Sequence, residues 1–273
     1  MMKRLILFLS CIYLVIDICA ESEMRANLSA GGGVNALKSV VYDAGGIVRG
    51  DTSQKELTLI FTAAGQADGA SSILRTLDKQ HVKGAFFFTS GFFRKFPDVI
   101  KAIQKDGHYL GGHSDKHPLY CDWGKRDSTL ITKEDFITDI MANYKVLAEA
   151  GIEYEKAPFF IPPYEWYNKE VAGWAKSLGI QIVNFTPGSG SNADYTTPDM
   201  KNYKSSQEIY ERIMEYEAKN GLNGHLLLVH LGTHPNRTDK FYNRLDELIR
   251  ALKRKGYKFV PLEELIAFFN DDI

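Results

Sequence analysis

The sequence predicts an α/β protein of the barrel type. Apolar runs of strand length alternate with helical-period segments from about residue 54 to the C-terminus, the signature of repeated βα units. His113, Tyr164 and His230 each fall at or just past the end of a different predicted strand. Residues from many strand ends converge on one mouth in a closed barrel, whereas an open doubly wound sheet gathers its ligand at a single switch point. A chain of 273 residues is also long enough to bury a core as one such barrel.

The elements follow in order. Lys3 and Arg4 precede an apolar run from Leu5 to Ile16 that ends near Cys19-Ala20, with polar Glu21-Ser22-Glu23 beyond. This charge, apolar core and small-residue end read as a secretory signal peptide over residues 1–20. The run is short for a bilayer span, so cleavage near Ala20 is expected rather than a transmembrane anchor, and the protein is expected to be secreted or periplasmic, at the cell envelope. Removing the leader leaves only Cys121, so no internal disulfide can form and stability must come from a core. Residues 21–53 are rich in Gly and Ala and read as an N-terminal extension; residues 54–273 read as the barrel domain.

Seven strands are predicted, over 57–61, 85–89, 109–112, 158–161, 181–185, 226–231 and 257–260. Between them lie amphipathic segments such as 133–149, where Phe136, Ile140, Tyr144 and Leu147 recur at the spacing of a helix packed on a sheet. The 33 basic and 34 acidic residues are interspersed without a block of one sign, which leaves no footprint for nucleic acid or an anionic membrane.

Chemistry concentrates at the strand ends. His113 and His117 are four residues apart, a spacing that on a helical turn brings two imidazoles to one cation. His230 closes an apolar strand, where a partly desolvated imidazole can give up a proton near neutral pH; His234 follows four residues later and is not separable from it by chemistry alone. Pro162-Pro163-Tyr164-Glu165-Trp166-Tyr167 joins stiff backbone to flat aromatic faces, suited to stacking on a sugar ring or to capping a core.

Together these residues resemble the polysaccharide deacetylase family, the NodB-homology domain of carbohydrate esterases, over roughly 57–265. His113-Ser114-Asp115-Lys116-His117 matches its His-Ser/Thr-x-x-His motif, Leu228-Val229-His230 its Leu-x-His motif, and Ile161-Pro162-Pro163-Tyr164 its Arg-Pro-Pro-Tyr motif. The resemblance implies a distorted (β/α)7 barrel, TIM-barrel-like and NodB-type. It also implies a divalent metal ion, zinc by preference, and removal of N- or O-acetyl groups from a glycan or oligosaccharide.

The first motif departs from the family. Where the family reads Thr-Phe-Asp-Asp-Gly, this chain reads Thr62-Ala63-Ala64-Gly65-Gln66. Ala64 thus stands at the position of the general base, Gly65 at that of the metal-binding aspartate, and Ile161 at that of the arginine that orients the base. Loss of a base alone costs on the order of 10² to 10⁴ in rate. Asp68, in the same loop, is the first candidate to complete the metal set with His113 and His117, although it could equally cap the following helix; Glu165 and Asp115 come next. His230 is assigned as the catalytic acid with Asp194 polarising it, and Tyr164, Glu165 and Trp166 as substrate-binding residues. Two functions follow: a metal-dependent deacetylase-like hydrolase with altered or reduced catalysis, or a catalytically inactive carbohydrate-binding protein on the same barrel.

Overall fold

The computed structural model describes residues 39–266, so the predicted signal peptide and the first part of the extension lie outside the described residues. Nine strands form one sheet, in the order β1 (Val41–Asp43), β2 (Gly46–Arg49), β8 (His225–His230), β3 (Glu56–Ala63), β4 (Ala85–Phe88), β5 (Tyr109–Gly112), β6 (Phe159–Phe160), β7 (Gln181–Ile182). The ninth, β9 (Lys258–Phe259), pairs with the start of β3. All seven predicted strands are present. From β8 through β7 every pairing is parallel, as βα repeats dictate. The sheet curls as a distorted barrel with its helices outside.

The hairpin β1–β2 was not predicted as strand, and it belongs to the sheet. β2 pairs antiparallel with β8 through Arg49 and His225, and a bridge from Ile47 to Val183 sets it against the segment after β7. The last part of the predicted extension therefore sits between the two ends of the parallel sheet. Gly46 permits this approach, because a Cβ there would lie 2.4 Å from the Tyr167 hydroxyl.

Alternation along β3 sorts the core into two layers. Leu57, Leu59 and Phe61 face the helices with Phe86, Phe88 and Leu227, while Ile60 faces the barrel interior with Phe87, Phe159, Ile161, Leu226 and Leu228. By the same parity Thr62, His113 and His230 belong to the interior set at the C-terminal ends of their strands, and the β3–β8 register places Thr62 opposite His230. The helix Lys133–Glu149 has the predicted bounds and is capped by the Thr132 side chain, which accepts from the Asp135 amide.

Candidate functional site

Directly after β5 the chain turns back on itself, and that turn aims the first two histidines. It is not helical: Ser114 and His117 both take left-handed backbone conformations, at φ 75° and 56°. The Ser114 hydroxyl accepts from the His117 amide at 2.8 Å, and the carboxylate of buried Asp139 accepts from the amides of Asp115 and Lys116. Asp139 thus substitutes for the missing backbone ladder. The turn sets the two Nε2 atoms 3.2 Å apart. His113 Nδ1 lies 2.8 Å from the Ile161 carbonyl, which can only accept, so Nδ1 carries the proton and Nε2 presents a lone pair. Burial lowers the pKa of His113 to about 3 and of His117 to about 4, keeping both neutral at neutral pH.

On the opposite side His230 is gripped by Asp194, a fully buried carboxylate on the turn Ser191–Tyr195. One Asp194 oxygen lies 2.7 Å from His230 Nδ1 and the other accepts the His230 amide at 2.9 Å. Burial pulls the His230 pKa down, but the charge and hydrogen bond of Asp194, with Glu165 adding to them, hold it above the ordinary histidine value. Asp194 fixes the ring with Nδ1 protonated, leaving Nε2 for the cleft. His234 also lines the cleft, but its Nδ1 accepts from the Asn236 amide instead of meeting a carboxylate. The pair that sequence chemistry left unranked is therefore ordered by Asp194 in favour of His230.

These groups share one cleft of about 590 Å³, lined also by Ala64, Gly65, Trp123, Tyr164, Glu165, Trp166, Phe185 and Tyr195. Trp123 and Trp166 stack with ring centres 5.7 Å apart, the Arg126 guanidinium lies 4.8 Å from the Trp166 ring, and Tyr164 sets its edge against both Trp123 and His117. Trp123 and Tyr164 remain 58% and 47% exposed, which leaves ring faces for a ligand. Tyr164 and Glu165 are consecutive left-handed residues at φ 60° and 54°, a costly backbone held by the bond from Asn184 Nδ2 to the Glu165 carbonyl. Glu165 is the single carboxylate among the residues lining this cleft. Burial raises its pKa, opposed by the positive potential of His230.

Asp68 stands apart from the histidine pair. Its carboxylate accepts from the Thr233 amide and the Tyr242 hydroxyl and forms an ion pair with Lys240 at 2.9 Å, and it does not line the cleft. It is neither the third ligand nor a helix cap, since the cap of the following helix is Gly69. Asp115 lies 3.6 Å from Arg94. Among the described residues no group of three or more His, Cys, Asp or Glu is placed to hold a metal ion. The 3.2 Å between the imidazole nitrogens suits two ligands of one cation, but a catalytic zinc takes three protein ligands. The donor set does not fit that site: Gly65 supplies no side chain, and nothing lies within 4 Å of where its Cβ would be.

Sequence reasoning passed over Trp123, Tyr195 and Asp139. An exposed-loop tryptophan among Asp122, Gly124 and Lys125 is a legible sign of a binding surface. Asp139 gives no such sign, because an acid on an amphipathic helix reads as solvated.

The mouth of this parallel barrel gathers imidazoles, a buried carboxylate–histidine pair and an aromatic wall, at the end of the strands where barrel proteins carry their sites. The polysaccharide deacetylase family model matches residues 49–183 of this chain. The chain is 25% identical over 231 residues to the peptidoglycan-N-acetylmuramic acid deacetylase PdaA of Bacillus subtilis, covering 84% of this chain and 78% of that protein. It is 26% identical over 218 residues to a peptidoglycan-N-acetylglucosamine deacetylase of Bacillus cereus, covering 79% and 70%. The fold also matches BA3943 of Bacillus anthracis, described as a CE4 family pseudoenzyme, at a TM-score of 0.63 and 21% identity over 82% of this chain and 70% of that one.

Proposed function

We propose that this chain is an exported deacetylase-like protein that recognises N- or O-acetylated glycans of the peptidoglycan type, with turnover reduced by the loss of its water-activating acids. The observation that carries this reading is the asymmetry of the cleft. His230 is held by Asp194 at 2.7 Å beside an aromatic wall, while the Ala64–Gly65 edge carries no acid. The two curated relatives act on N-acetylated peptidoglycan sugars, which supports the substrate class. The apolar N-terminal run after Lys3 and Arg4 supports export.

In this reading a sugar ring lies on the exposed faces of Trp123 and Tyr164, with the acetyl group directed between His230 and the histidine pair. Water adds to the acetyl carbonyl without help from an acid at positions 64 and 65, the C–N or C–O bond breaks to release acetate, and His230, its pKa raised, protonates the departing amine or hydroxyl, with Asp194 stabilising the imidazolium before the proton leaves. The ionised form of Glu165 beside His230 adds to the support of that protonated ring. No step is assigned to a metal, because among the described residues the site offers two nitrogen ligands and no third.

Binding without turnover is the second reading, and the open Gly65 edge favours it. The pseudoenzyme of the same fold also has a mutant described as having restored enzymatic activity. Calorimetric binding of acetylated peptidoglycan fragments, together with an acetate-release assay on wild type and His230→Ala, tests the proposal. Binding by both proteins with slow, His230-dependent acetate release is expected; binding with no release assigns the chain to the second reading, and no binding defeats both.

A further inference from the structure

Glu165 occupies a position that resists it twice. It follows Tyr164 in the left-handed region at φ 54°, a backbone that glycine adopts freely and a residue with a Cβ adopts at a cost. Its carboxylate is also desolvated: burial, with the Asp194 charge behind it, raises its pKa against the pull of His230. Backbone strain and a desolvated acid in one cleft residue are the marks of a side chain held for the chemistry of a site.

The backbone fixes where this acid enters. The Glu165 amide donates to the Pro162 carbonyl at 2.9 Å, and the Glu165 carbonyl accepts from Asn184 Nδ2 at 2.8 Å. From that point the side chain interacts with Thr62 at the end of β3 and with His230 at the end of β8, two residues that the strand register sets opposite one another. Ala64 follows two residues after Thr62, so the carboxylate arrives beside the strand end from which an acid at position 64 would project. Among the residues lining the cleft it is the single carboxylate, in a space shared with His113, His117 and His230.

Resting on the deacetylase-like reading above, we propose that Glu165 is the general base of this cleft, entering from the β6 side in place of an acid at position 64. Its ionised carboxylate takes one proton from a water as the water oxygen bonds to the acetyl carbonyl carbon. The tetrahedral adduct then collapses: the C–N or C–O bond breaks, its electron pair leaves with the sugar nitrogen or oxygen, that atom takes the proton of His230, and acetic acid departs. The proton held by Glu165 passes to His230 and restores the charged pair. Gly65 still supplies no side chain, so the second acid of the family pattern is not replaced and turnover stays slow.

The experiment measures acetate release from O- and N-acetylated peptidoglycan fragments by wild type, Glu165→Gln and Glu165→Gly, with fragment affinity by calorimetry and thermal unfolding alongside. Glu165→Gln keeps the shape of the side chain and is expected to lower kcat on the order of 10²-fold or more while fragment affinity holds. Glu165→Gly suits the left-handed backbone, so its Tm is expected to rise while its turnover falls as far. Added formate, a carboxylate small enough for the vacated space, is expected to restore turnover to the glycine variant and not to the glutamine variant. Release by Glu165→Gln at the wild-type rate, a loss that lies in affinity instead of kcat, or a Glu165→Gly loss that formate does not repair overturns the base and leaves the glycan reading standing. Binding without release by wild type overturns the base and assigns the chain to the binding-only reading; failure to bind removes the glycan reading itself.

Discussion

The two sides of the cleft differ in a single kind of group. On the His230 side a buried carboxylate holds the residue through both oxygens, one on the ring and one on the amide, and raises its pKa; on the His113–His117 side, among the described residues, no carboxylate bonds either ring, and burial depresses the two pKa values to about 3 and about 4. Imidazoles of one type are thus tuned in opposite directions by the presence or absence of one acid. On the proposed reading, the acid-donating half of a hydrolytic site has been kept and the water-activating half has been lost.

The largest test of this contrast removes the acid that remains. Asp194→Ala leaves the His230 amide and ring without their partner in a buried place, and a loss of about 3–5 kcal/mol in unfolding free energy by urea denaturation is expected. The milder Asp194→Asn should bring the His230 pKa below that of an ordinary histidine, read by NMR titration, because burial then dominates. An unmoved pKa would mean that Asp194 does not tune this ring.

A second test uses pH. His113 and His117 refuse protons in the folded state until pH falls to about 3 and about 4, whereas the unfolded chain takes them up near 6.5. The unfolded state therefore binds more protons between those values, and stability falls as pH falls through that window, by up to about 1.4 kcal/mol per pH unit for each fully buried group. His230 has the opposite sign: its raised pKa gives stability that is present at low pH and lost as pH rises through the folded value. A His113→Asn, His117→Asn double variant should accordingly lose less stability than wild type between pH 7 and pH 5. Equal losses would show that the pair is not held neutral.

The smallest expected effect concerns the wall that both sides share. Trp123→Ala removes an exposed ring face and should weaken binding of peptidoglycan fragments about ten-fold, roughly 1–1.5 kcal/mol, with little change in thermal stability. A thermal loss larger than the binding loss would make Trp123 a structural residue.

Much of this was legible in the sequence because period-two alternation carries orientation as well as secondary structure. Once β3, β5 and β8 are placed, the parity that buries Ile60, Tyr109 and Leu228 inside the barrel also turns Thr62, His113 and His230 toward its mouth. The Asp194–His230 pairing was readable only through the family motif, since the loop 186–195 has no periodicity to orient an aspartate. Three features were hidden for physical reasons. The β1–β2 hairpin is short, with β1 exposed throughout, so neither strand shows an alternating pattern long enough to recognise. The turn from His113 to His117 depends on Asp139, a contact 22 residues beyond His117 that no local spacing reports. Asp68 looked available as a ligand because its partners, Lys240 and Tyr242, arrive from the far end of the chain.

The central claim is that the acids missing at positions 64 and 65 limit turnover in this cleft. Acetate release from N-acetylated peptidoglycan fragments, with zinc supplied, by wild type and by the Ala64→Asp, Gly65→Asp double variant tests it most directly. Both positions are exposed, and the Gly65 edge is open to a side chain. The account predicts that the double variant exceeds wild type by on the order of 10² or more, and that His230→Ala in that background abolishes the gain. Wild-type turnover equal to or faster than that of the double variant would contradict it.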